Sequence, residues 1–470
     1  EENKMNYRKE HDLLGEKDIP DHVYWGIHTE RGRENFNLTG YRVNSALIKA
    51  LAMVKKACCI ANFELGYIER EKAEVIEYAC DEIIEDHLSD SFPVDALQGG
   101  AGTSTNMNIN EVIANRAIEL SGRQKGDYSF IHPIETVNLH QSTNDTYPTA
   151  VKIAAILGLR NLSQKIAELQ GAFQKKEKEF AEIVKIGRTE LQEGVPVTLG
   201  AEFSCFAEAI ARDRWRTFKC EERLRTVNIG GTAVGTGLCA PRSYIFLVIE
   251  KLRDITGLGI ARGENVMDQT ANSDPFVETS GIMKSHASNI IKISNDLRTL
   301  NLLGEIVLPP VQAGSSVMPG KVNPVMAEAA IQAGIKVMAN DLIICETTSR
   351  STFQINEFMP LLSFAMLETI DLLINTNNML TGYVEQIKAN KDLCREYFDR
   401  SPVIVTAFIP YIGYDACTEI IKEFFTLEHK NLREFLCNKL GKEMVERVLS
   451  PYKLMSLGYR KEDLYENRNA

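Results

Sequence analysis

The chain has 470 residues, of which 44% are hydrophobic and 25% charged, and its formal net charge is −11 at pH 7. This composition is typical of a folded globular protein and excludes a disordered, collagen-like or low-complexity chain. The acidic balance argues against nucleic acid as a partner, and no run of about 18 uncharged apolar residues predicts a membrane span. At roughly 150 residues per domain, the length predicts about three domains.

Helical patterns dominate the chain from its first third onward. Residues 1–145 mix predicted helices with glycine- and proline-punctuated loops, which indicates an N-terminal domain. Residues 146–397 carry long proline-free spans, bounded by Pro148 and Pro196, by Pro324 and Pro360, and by Pro360 and Pro402. Each span can hold a helix well above the usual length of about 11 to 12 residues. We therefore predict a central domain built as a bundle of long helices.

The first long span shows the helical period most clearly. Apolar residues recur there at helical spacing, with Lys and Glu between them, at Leu162, Ile166, Leu169, Phe173 and Phe180. Residues 398–470 are shorter in pattern, with turn signals at Ser401-Pro402, Pro410 and Gly413, and predict a small helical C-terminal domain. Alternating strand-like runs are scarce, so the fold class expected is mostly α.

The cysteines give no sign of a metal or of disulfides. There are ten, with no CxxC motif, and the chain opens EENKMNYRKE without a basic-then-apolar signal segment. Such thiols are expected to be reduced and mostly buried in a cytoplasmic protein. No Cys/His spacing predicts a zinc site, and we predict no metal site.

Three polar loops interrupt the helical background, at residues 99–110, 140–145 and 314–324. Each combines small hydroxyls, amides or glycines beside a predicted helix start, where free backbone N–H groups bind anions. Together they predict a small ligand with more than one negative charge. For any one loop alone, an ordinary helix cap or turn remains an open alternative.

The third loop reads Gly-Ser-Ser-Val-Met-Pro-Gly-Lys-Val-Asn-Pro from Gly314 to Pro324. It resembles the signature loop of the fumarase/aspartase superfamily, whose pattern is Gly-Ser-Ser-x-Met-Pro-x-Lys-x-Asn-Pro. Further segments resemble the family in family order, so the resemblance spans nearly the whole chain; they lie at residues 24–31, 102–108, 141–145 and 187–192. Other stretches look more like aspartases than fumarases, at residues 40–42, 47–51 and 54–57.

The resemblance implies a mostly α, three-domain homotetramer with a central bundle of long helices and active sites shared between three chains. It implies a lyase without a cofactor that removes a proton next to a carboxylate and expels an amine through an aci-carboxylate intermediate. The reaction expected is conversion of L-aspartate, a small anionic amino acid, to fumarate and ammonia. No cluster of residues predicts a site for an activating divalent cation.

The resemblance also implies roles for individual residues. Ser315 matches the general base, and Lys321 and Asn323 match groups that stabilise the charge developing on the carboxylate, with Ser316 as a carboxylate contact or a backbone element. The hydroxyls expected to hold the distal carboxylate are those of Thr105, Ser142 and Thr143. Asn144 and Thr189 match contacts of the leaving amine, and His28 and Arg31 match N-terminal residues near the site.

Glu190 departs from the family, where histidine or glutamine is usual. That histidine pairs with a glutamate on the helix after the signature loop, which corresponds to Glu328. If Glu190 and Glu328 lie close together, either one stays protonated or a cationic group of the substrate lies between them. The second option favours an amine leaving group over water. A solvated Glu190 remains the alternative.

Three further departures leave the substrate more open than the reaction class. A Gly-Pro-Arg turn common in relatives is missing near residues 299–304, and residues 133–136 and 401–406 also differ. One alternative is a lyase that expels a bulkier cationic amine, such as trimethylamine from a betaine amino acid, as ergothionase-type enzymes do. The others are a fumarate hydratase and a catalytically silent structural relative.

Overall fold

A computed structural model describes residues 6–428 and 431–464 of the chain. Helices dominate these residues and the strands are short, so the predicted mostly α fold is confirmed. The described residues form two compact units: the first lies within Glu1–Ser163, Trp215–Ala287 and Ile335–Ile374, and the second within Gln164–Arg214, Ser288–Gly334 and Asn375–Ala470. The predicted domain boundaries at residues 145 and 397 stay a prediction.

The N-terminal part of the first unit is a hairpin followed by four helices. The antiparallel strands are β1 (Tyr7–Asp12) and β2 (Gly15–Pro20). The helices are α1 (Ile27–Asn35), α2 (Ser45–Glu64), α3 (Arg70–Ile84) and α4 (Thr103–Leu120). Helix α2 begins where the side chain of Asn44 accepts the N–H of Ala46, and its alanines and aliphatic residues pack against α3 and α4. This packing places the starts of α1 and α4, and the polar residues they carry, in one unit.

The middle of the chain supplies the long helices. Its helices are α5 (Thr143–Glu179), α6 (Leu199–Leu224), α7 (Arg242–Thr256), α8 (Val266–Ala271), α9 (Asp274–Leu302), α10 (Val325–Ser349) and α11 (Met359–Glu385). The five long ones have between 25 and 37 residues. Four of the apolar residues predicted to face the core lie in α5 and the fifth directly follows it, and all are at most 1% exposed. The long-helix prediction is therefore confirmed.

One helix, α11, is long and apolar enough to cross a membrane by length and composition alone. In the described part of the chain, 61% of its most apolar segment is buried inside the protein. A helix that is apolar on more than one face and largely buried is typical of the core of a folded protein.

The remaining strands are short. They are β3 (Val184–Thr189), β4 (Gln192–Thr198), β5 (Thr226–Val227), β6 (Ala261–Arg262), β7 (Ile306–Val307) and β8 (Lys388–Ala389). Strands β3 and β4 form an antiparallel hairpin, β7 and β8 pair antiparallel across a long stretch of chain, and β5 and β6 pair parallel. The hairpin of β3 and β4 is the one that bears on function, since Thr189 and Glu190 lie at its tip.

Short helices end the second unit. They are α12 (Lys391–Arg400), α13 (Ile409–Ile412), α14 (Tyr414–Phe425), α15 (Leu432–Leu440), α16 (Lys442–Val448) and α17 (Pro451–Leu454), with a 3₁₀ segment at Pro402–Phe408. Phe398, Phe408 and Phe424 form an apolar core with Val184 and Ile186 of β3. The C-terminal helices therefore hold the hairpin of β3 and β4 from its buried face.

The segment that lacks the family's Gly-Pro-Arg turn continues α9 to Leu302 and ends it at Gly304. Gly304 has a φ of 74°, the left-handed conformation that commonly terminates helices. The N–H of Glu305 returns to the carbonyl of Leu300 at 3.0 Å, as in a Schellman cap. A regular helix end thus takes the place of the missing turn.

Candidate active site

The loop from Gly314 to Pro324 is closed upon itself in the second unit. The N–H of Gly314 donates to the carbonyl of Lys321 at 2.8 Å, and Nδ2 of Asn323 donates to the carbonyl of Gly314 at 2.9 Å. A Cβ at position 314 would lie 2.7 Å from that Lys321 carbonyl oxygen, so only glycine fits between the two ends. Asn323 therefore helps to hold the two ends of the loop together.

Closure of this loop gives Ser315 two hydrogen-bond donors. Oγ of Ser315 accepts the backbone N–H of Val317 at 3.1 Å and that of Met318 at 2.8 Å. Two aligned N–H dipoles stabilise negative charge on the oxygen they point at. The geometry therefore lowers the cost of the alkoxide form, which a serine must adopt to act as a base.

The cation of the loop faces outward. Lys321 and Ser316 are exposed in the single chain, as are the apolar side chains of Val317 and Met318 at 83% and 51%. Exposed apolar side chains beside a lysine are typical of a surface that binds a ligand or a partner.

Thr189 and Glu190 lie at the tip of the β3–β4 hairpin and are exposed. Thr189 pairs with Gln192, and the two residues between them, Glu190 and Leu191, have φ values of 53° and 61°. Positive φ at both central positions is the signature of a type I′ turn, which projects these side chains away from the strands. Glu190 is thus exposed at the turn, and its pairing with Glu328 stays a prediction.

Glu328 lies beside an arginine. It occupies the first turn of α10, half-exposed, and its Oε1 is 4.0 Å from Nη2 of Arg298. Burial, together with the nearby negative charge of Glu328, raises the pKa of Tyr383 to about 12. Of the two carboxylates predicted to pair, Glu328 thus has a cationic neighbour, Arg298.

Buried charges fix the hairpin that carries Glu190. Glu305 is fully buried and accepts hydrogen bonds or ion-pair contacts from Lys185 at 2.8 Å and Arg188 at 2.7 Å. Lys185 also contacts Glu202 at 2.8 Å. Such a network is costly to break because a removed partner leaves a buried charge unpaired. These ion pairs therefore anchor strand β3 close to the tip of the hairpin.

In the first unit, the starts of α4 and α5 meet. Nδ2 of Asn106 donates to Oγ1 of Thr143 at 3.1 Å. Thr105 is fully buried, and both its N–H and its hydroxyl donate to Oε1 of Gln98 at 3.0 Å. The exposed hydroxyl at the start of α4 belongs to Thr103, which our sequence analysis did not single out. The sequence could have indicated this difference, because side chains two residues apart on a helix point in different directions, so Thr103 and Thr105 do not share one surface.

Hydrogen bonds to the buried side chain of Asp145 fix the segment Ser142–Asp145. The N–H of Ser142 donates to Oδ1 of Asp145 at 3.0 Å, and the N–H groups of Gly230 and Thr232 donate to Oδ2 at 3.1 and 2.9 Å. Asn144 donates from Nδ2 to the carbonyl of Ala233 at 2.7 Å. Asp145 is fully buried, and that burial raises its pKa to about 7. The loop beginning α5 is thus a rigid platform, with Ser142 and Asn144 half-exposed on it.

His28 and Arg31 both lie on α1 and are half-buried. The buried carboxylate of Glu111 accepts the N–H of His28 at 2.8 Å and fixes the start of the helix. Burial lowers the pKa of His28, so the ring is neutral near pH 7. Arg31 forms a two-point pair with Asp12, from Nε at 2.7 Å and Nη2 at 2.9 Å. Arg31 is therefore already engaged within the chain.

No group of three or more His, Cys, Asp or Glu side chains with suitable spacing occurs among residues 6–428 and 431–464.

Comparison with known proteins gives consistent matches over nearly the whole chain. A family model described as lyase matches residues 15–339. The chain is 44% identical to an aspartate ammonia-lyase of a Bacillus species, covering 96% of this chain and 98% of that one. It is 41% identical to the aspartate ammonia-lyase of Helicobacter pylori, with the same coverage.

Two solved structures share the architecture. One is a fumarate lyase:delta crystallin from Brucella melitensis bound to cobalt, with a TM-score of 0.91 and 42% identity over 96% of this chain and 99% of that one. The other is the class II fumarase of Schistosoma mansoni, with a TM-score of 0.89 and 29% identity over 96% of this chain and all of that one.

Proposed function

The chain belongs to the lyase family of the fumarase/aspartase superfamily, and from that premise we propose that it converts L-aspartate to fumarate and ammonia. It is a carbon–nitrogen lyase. The observation that carries the chemistry is the closed Gly314–Pro324 loop, in which two backbone N–H groups point at Oγ of Ser315. The name carried by relatives more than 40% identical supports aspartate as the substrate.

The elimination balances without an external reagent. Ser315 Oγ takes the proton from the methylene carbon, which is next to the side-chain carboxylate of aspartate, and the electron pair moves onto that carboxylate to give the aci-carboxylate. The pair then returns to form the carbon–carbon double bond as the carbon–nitrogen bond breaks, and the amine leaves. The intermediate carries two negative charges on one carboxylate, so it requires a cation and preorganised donors there. Lys321 supplies the cation in this proposal, with Ser316 as a further donor.

The platform at the start of α5 suits the rest of the substrate. Ser142 and Thr143 carry hydroxyls at the start of α5, where buried hydrogen bonds fix the backbone. Hydroxyls at a helix start bind carboxylates. Thr103 is a more accessible candidate than Thr105 for the same task, because the hydroxyl of Thr105 is buried on Gln98. Asn144 and Thr189 remain the proposed contacts of the leaving amine, with His28 and Arg31 nearby.

Glu190 is proposed to attract the substrate ammonium. Its position at an exposed turn tip, on a hairpin anchored by Glu305, supports a carboxylate presented to a partner surface or ligand. Glu328 would act with it, although Arg298 lies beside Glu328 within the chain. The same negative charge would suit a bulkier cationic amine, which keeps a betaine amino acid as the second candidate substrate.

The working form is proposed to be a homotetramer with each active site shared between three chains. Helix α10 supports this, since Ile335 and Leu342 are 57% and 62% exposed on one of its faces. Exposed apolar residues seven positions apart lie on the same face of a helix, and such a face is typical of a surface that packs against another helix. The elimination needs only protein groups, so we propose that it uses no cofactor, and we expect the protein in the cytoplasm.

A three-substrate assay tests the proposal. Purified protein is incubated separately with L-aspartate, malate and a betaine amino acid, while the unsaturated acid is followed by ultraviolet absorbance and the released amine is measured. We expect fumarate and ammonia in equal amounts from aspartate. Turnover of malate with no amine released from aspartate would refute aspartate as the substrate. Turnover of the betaine alone would refute it as well.

A further inference from the structure

Lys55 is a buried cation on α2 that the proposed chemistry does not use. It is 1% exposed, and its ammonium donates to Oδ1 of Asn138 at 2.9 Å and to Oε1 of Gln141 at 2.8 Å. Burying an ammonium is costly unless strong interactions compensate, and burial lowers the pKa of Lys55 to about 8. A charge kept at that cost between two neutral amides indicates a role beyond filling space.

The ammonium sets the orientation of the Gln141 amide. Because an ammonium only donates hydrogen bonds, Oε1 must face Lys55 and the amide N–H groups must point away. They donate to the carbonyls of Val137 at 2.9 Å and Leu139 at 3.2 Å, which closes the turn 137–141. Within this turn His140 has a φ of 62°, a conformation that is uncommon outside glycine. Lys55 therefore stabilises a turn that the local sequence alone does not favour.

A second path runs from Lys55 to Thr143. Oδ1 of Asn138 also accepts Nδ2 of Asn106 at 3.2 Å and Nδ2 of Asn110 at 3.1 Å. The amide of Asn106 donates in addition to Oγ1 of Thr143 at 3.1 Å. The ammonium, the two amides and the Thr143 hydroxyl thus form one connected hydrogen-bond network beneath the start of α5.

Ser142 and Thr143 are held between two buried titratable groups, Lys55 and Asp145. The turn 137–141 leads directly into them, and Lys55 fixes its near end. Asp145 fixes the far end, through the N–H of Ser142 at 3.0 Å and that of Gly230 at 3.1 Å. Loss of either anchor frees the two hydroxyls to move.

We propose that Lys55 is a positioning residue that aligns the hydroxyls of Ser142 and Thr143 with the carboxylate of the substrate. This inference rests on the proposed function, since it takes a dicarboxylate as the ligand of those hydroxyls. Lys55 acts through Asn138 and Gln141 and does not touch the substrate. Because the hydroxyls bind substrate and transition state alike, misalignment should raise KM and leave kcat nearly unchanged.

Lys55→Met tests the proposal, because methionine keeps the length of the chain and removes the charge. We expect KM for aspartate and the dissociation constant for succinate, an unreactive dicarboxylate, each to rise about tenfold or more, while kcat stays within about threefold. The melting temperature should fall by no more than a few degrees, because removal of a buried ammonium relieves a desolvation cost.

Lys152→Met is the matched control. Lys152 on α5 is 2% exposed, donates to the carbonyl of Thr226 at 2.7 Å and Oε1 of Gln269 at 3.2 Å, and has its pKa lowered to about 8 by burial. It is a similarly buried lysine without a contact to the turn 137–141, so both KM and succinate binding should stay within about twofold of the wild type. Gln141→Leu is the second variant, since it removes the acceptor and keeps the lysine.

The outcomes separate the two proposals. Unchanged succinate binding in Lys55→Met overturns the positioning role, and so does unchanged binding in Gln141→Leu if Lys55→Met does not fold. An equal loss of binding in Lys152→Met also overturns it, because the effect would then belong to any buried lysine. A wild-type protein that binds succinate but does not convert aspartate refutes the proposed function alone, and succinate binding still tests Lys55.

Discussion

Replacing Gly314 by alanine tests whether closure of the Gly314–Pro324 loop supports turnover. An added Cβ would lie 2.7 Å from the carbonyl oxygen of Lys321 and 2.9 Å from the backbone nitrogen of Asn323, closer than Cβ contacts in real proteins. Both neighbours are backbone atoms, so the two ends of the loop must separate. This weakens the closing hydrogen bonds at 2.8 and 2.9 Å.

The size of the effect follows from those two bonds. At about 0.5–1.5 kcal/mol for each, the closed loop loses about 1–3 kcal/mol relative to open forms. Since about 1.4 kcal/mol is a factor of ten, kcat/KM for aspartate should fall roughly 5- to 150-fold. Initial rates of fumarate formation measure this. Circular dichroism and gel filtration should match the wild type, because the loop is exposed and the change is local.

Gly259→Ala is the control for the same substitution. No atom lies within 4 Å of a Cβ built at Gly259, and its φ is not in the left-handed region. Its kcat/KM should stay within about twofold of the wild type. If Gly314→Ala also keeps kcat/KM within about twofold, closure of the loop does not control catalysis and the reasoning is refuted.

Two further substitutions address the charges. Glu190→Gln keeps the size of the side chain and removes its charge, so KM for aspartate should rise about tenfold; unchanged KM and kcat would reject the ammonium contact. Glu111 is fully buried, and that burial raises its pKa from 4.5 to about 7. The folded protein therefore binds this proton more tightly than the unfolded chain, and the associated stability is complete below about pH 4.5 and lost as the pH rises through about 7. Denaturant titrations should show the stability of the wild type relative to Glu111→Gln falling by about 3 kcal/mol over that range, and a pH-independent difference would contradict the shift.

The long helices and the signature loop could be predicted from the sequence because both are local. The apolar spacing from Leu162 to Phe173 specifies a helix face without reference to the rest of the chain. The order of residues in the loop likewise identifies Ser315. The donors to its Oγ are backbone groups of Val317 and Met318, and their direction depends on closure by Asn323, which only coordinates reveal.

Residue-level placement was harder to predict where a side chain's direction decides its role. Thr105 was chosen at the start of α4, yet it points into the core, and the exposed hydroxyl is that of Thr103. Lys55 lies in an amphipathic-looking run where a lysine is normally solvated, so no pattern predicted its burial. The pairing of Glu190 with Glu328 stays a prediction.

Turnover of L-aspartate by Ser315→Ala tests the central claim most directly. The variant must first show the circular dichroism and oligomeric state of the wild type, so that any loss is chemical. We predict that kcat falls about 10²- to 10⁴-fold, the usual contribution of a positioned base. A kcat within about threefold of the wild type would contradict the claim that Ser315 removes the proton.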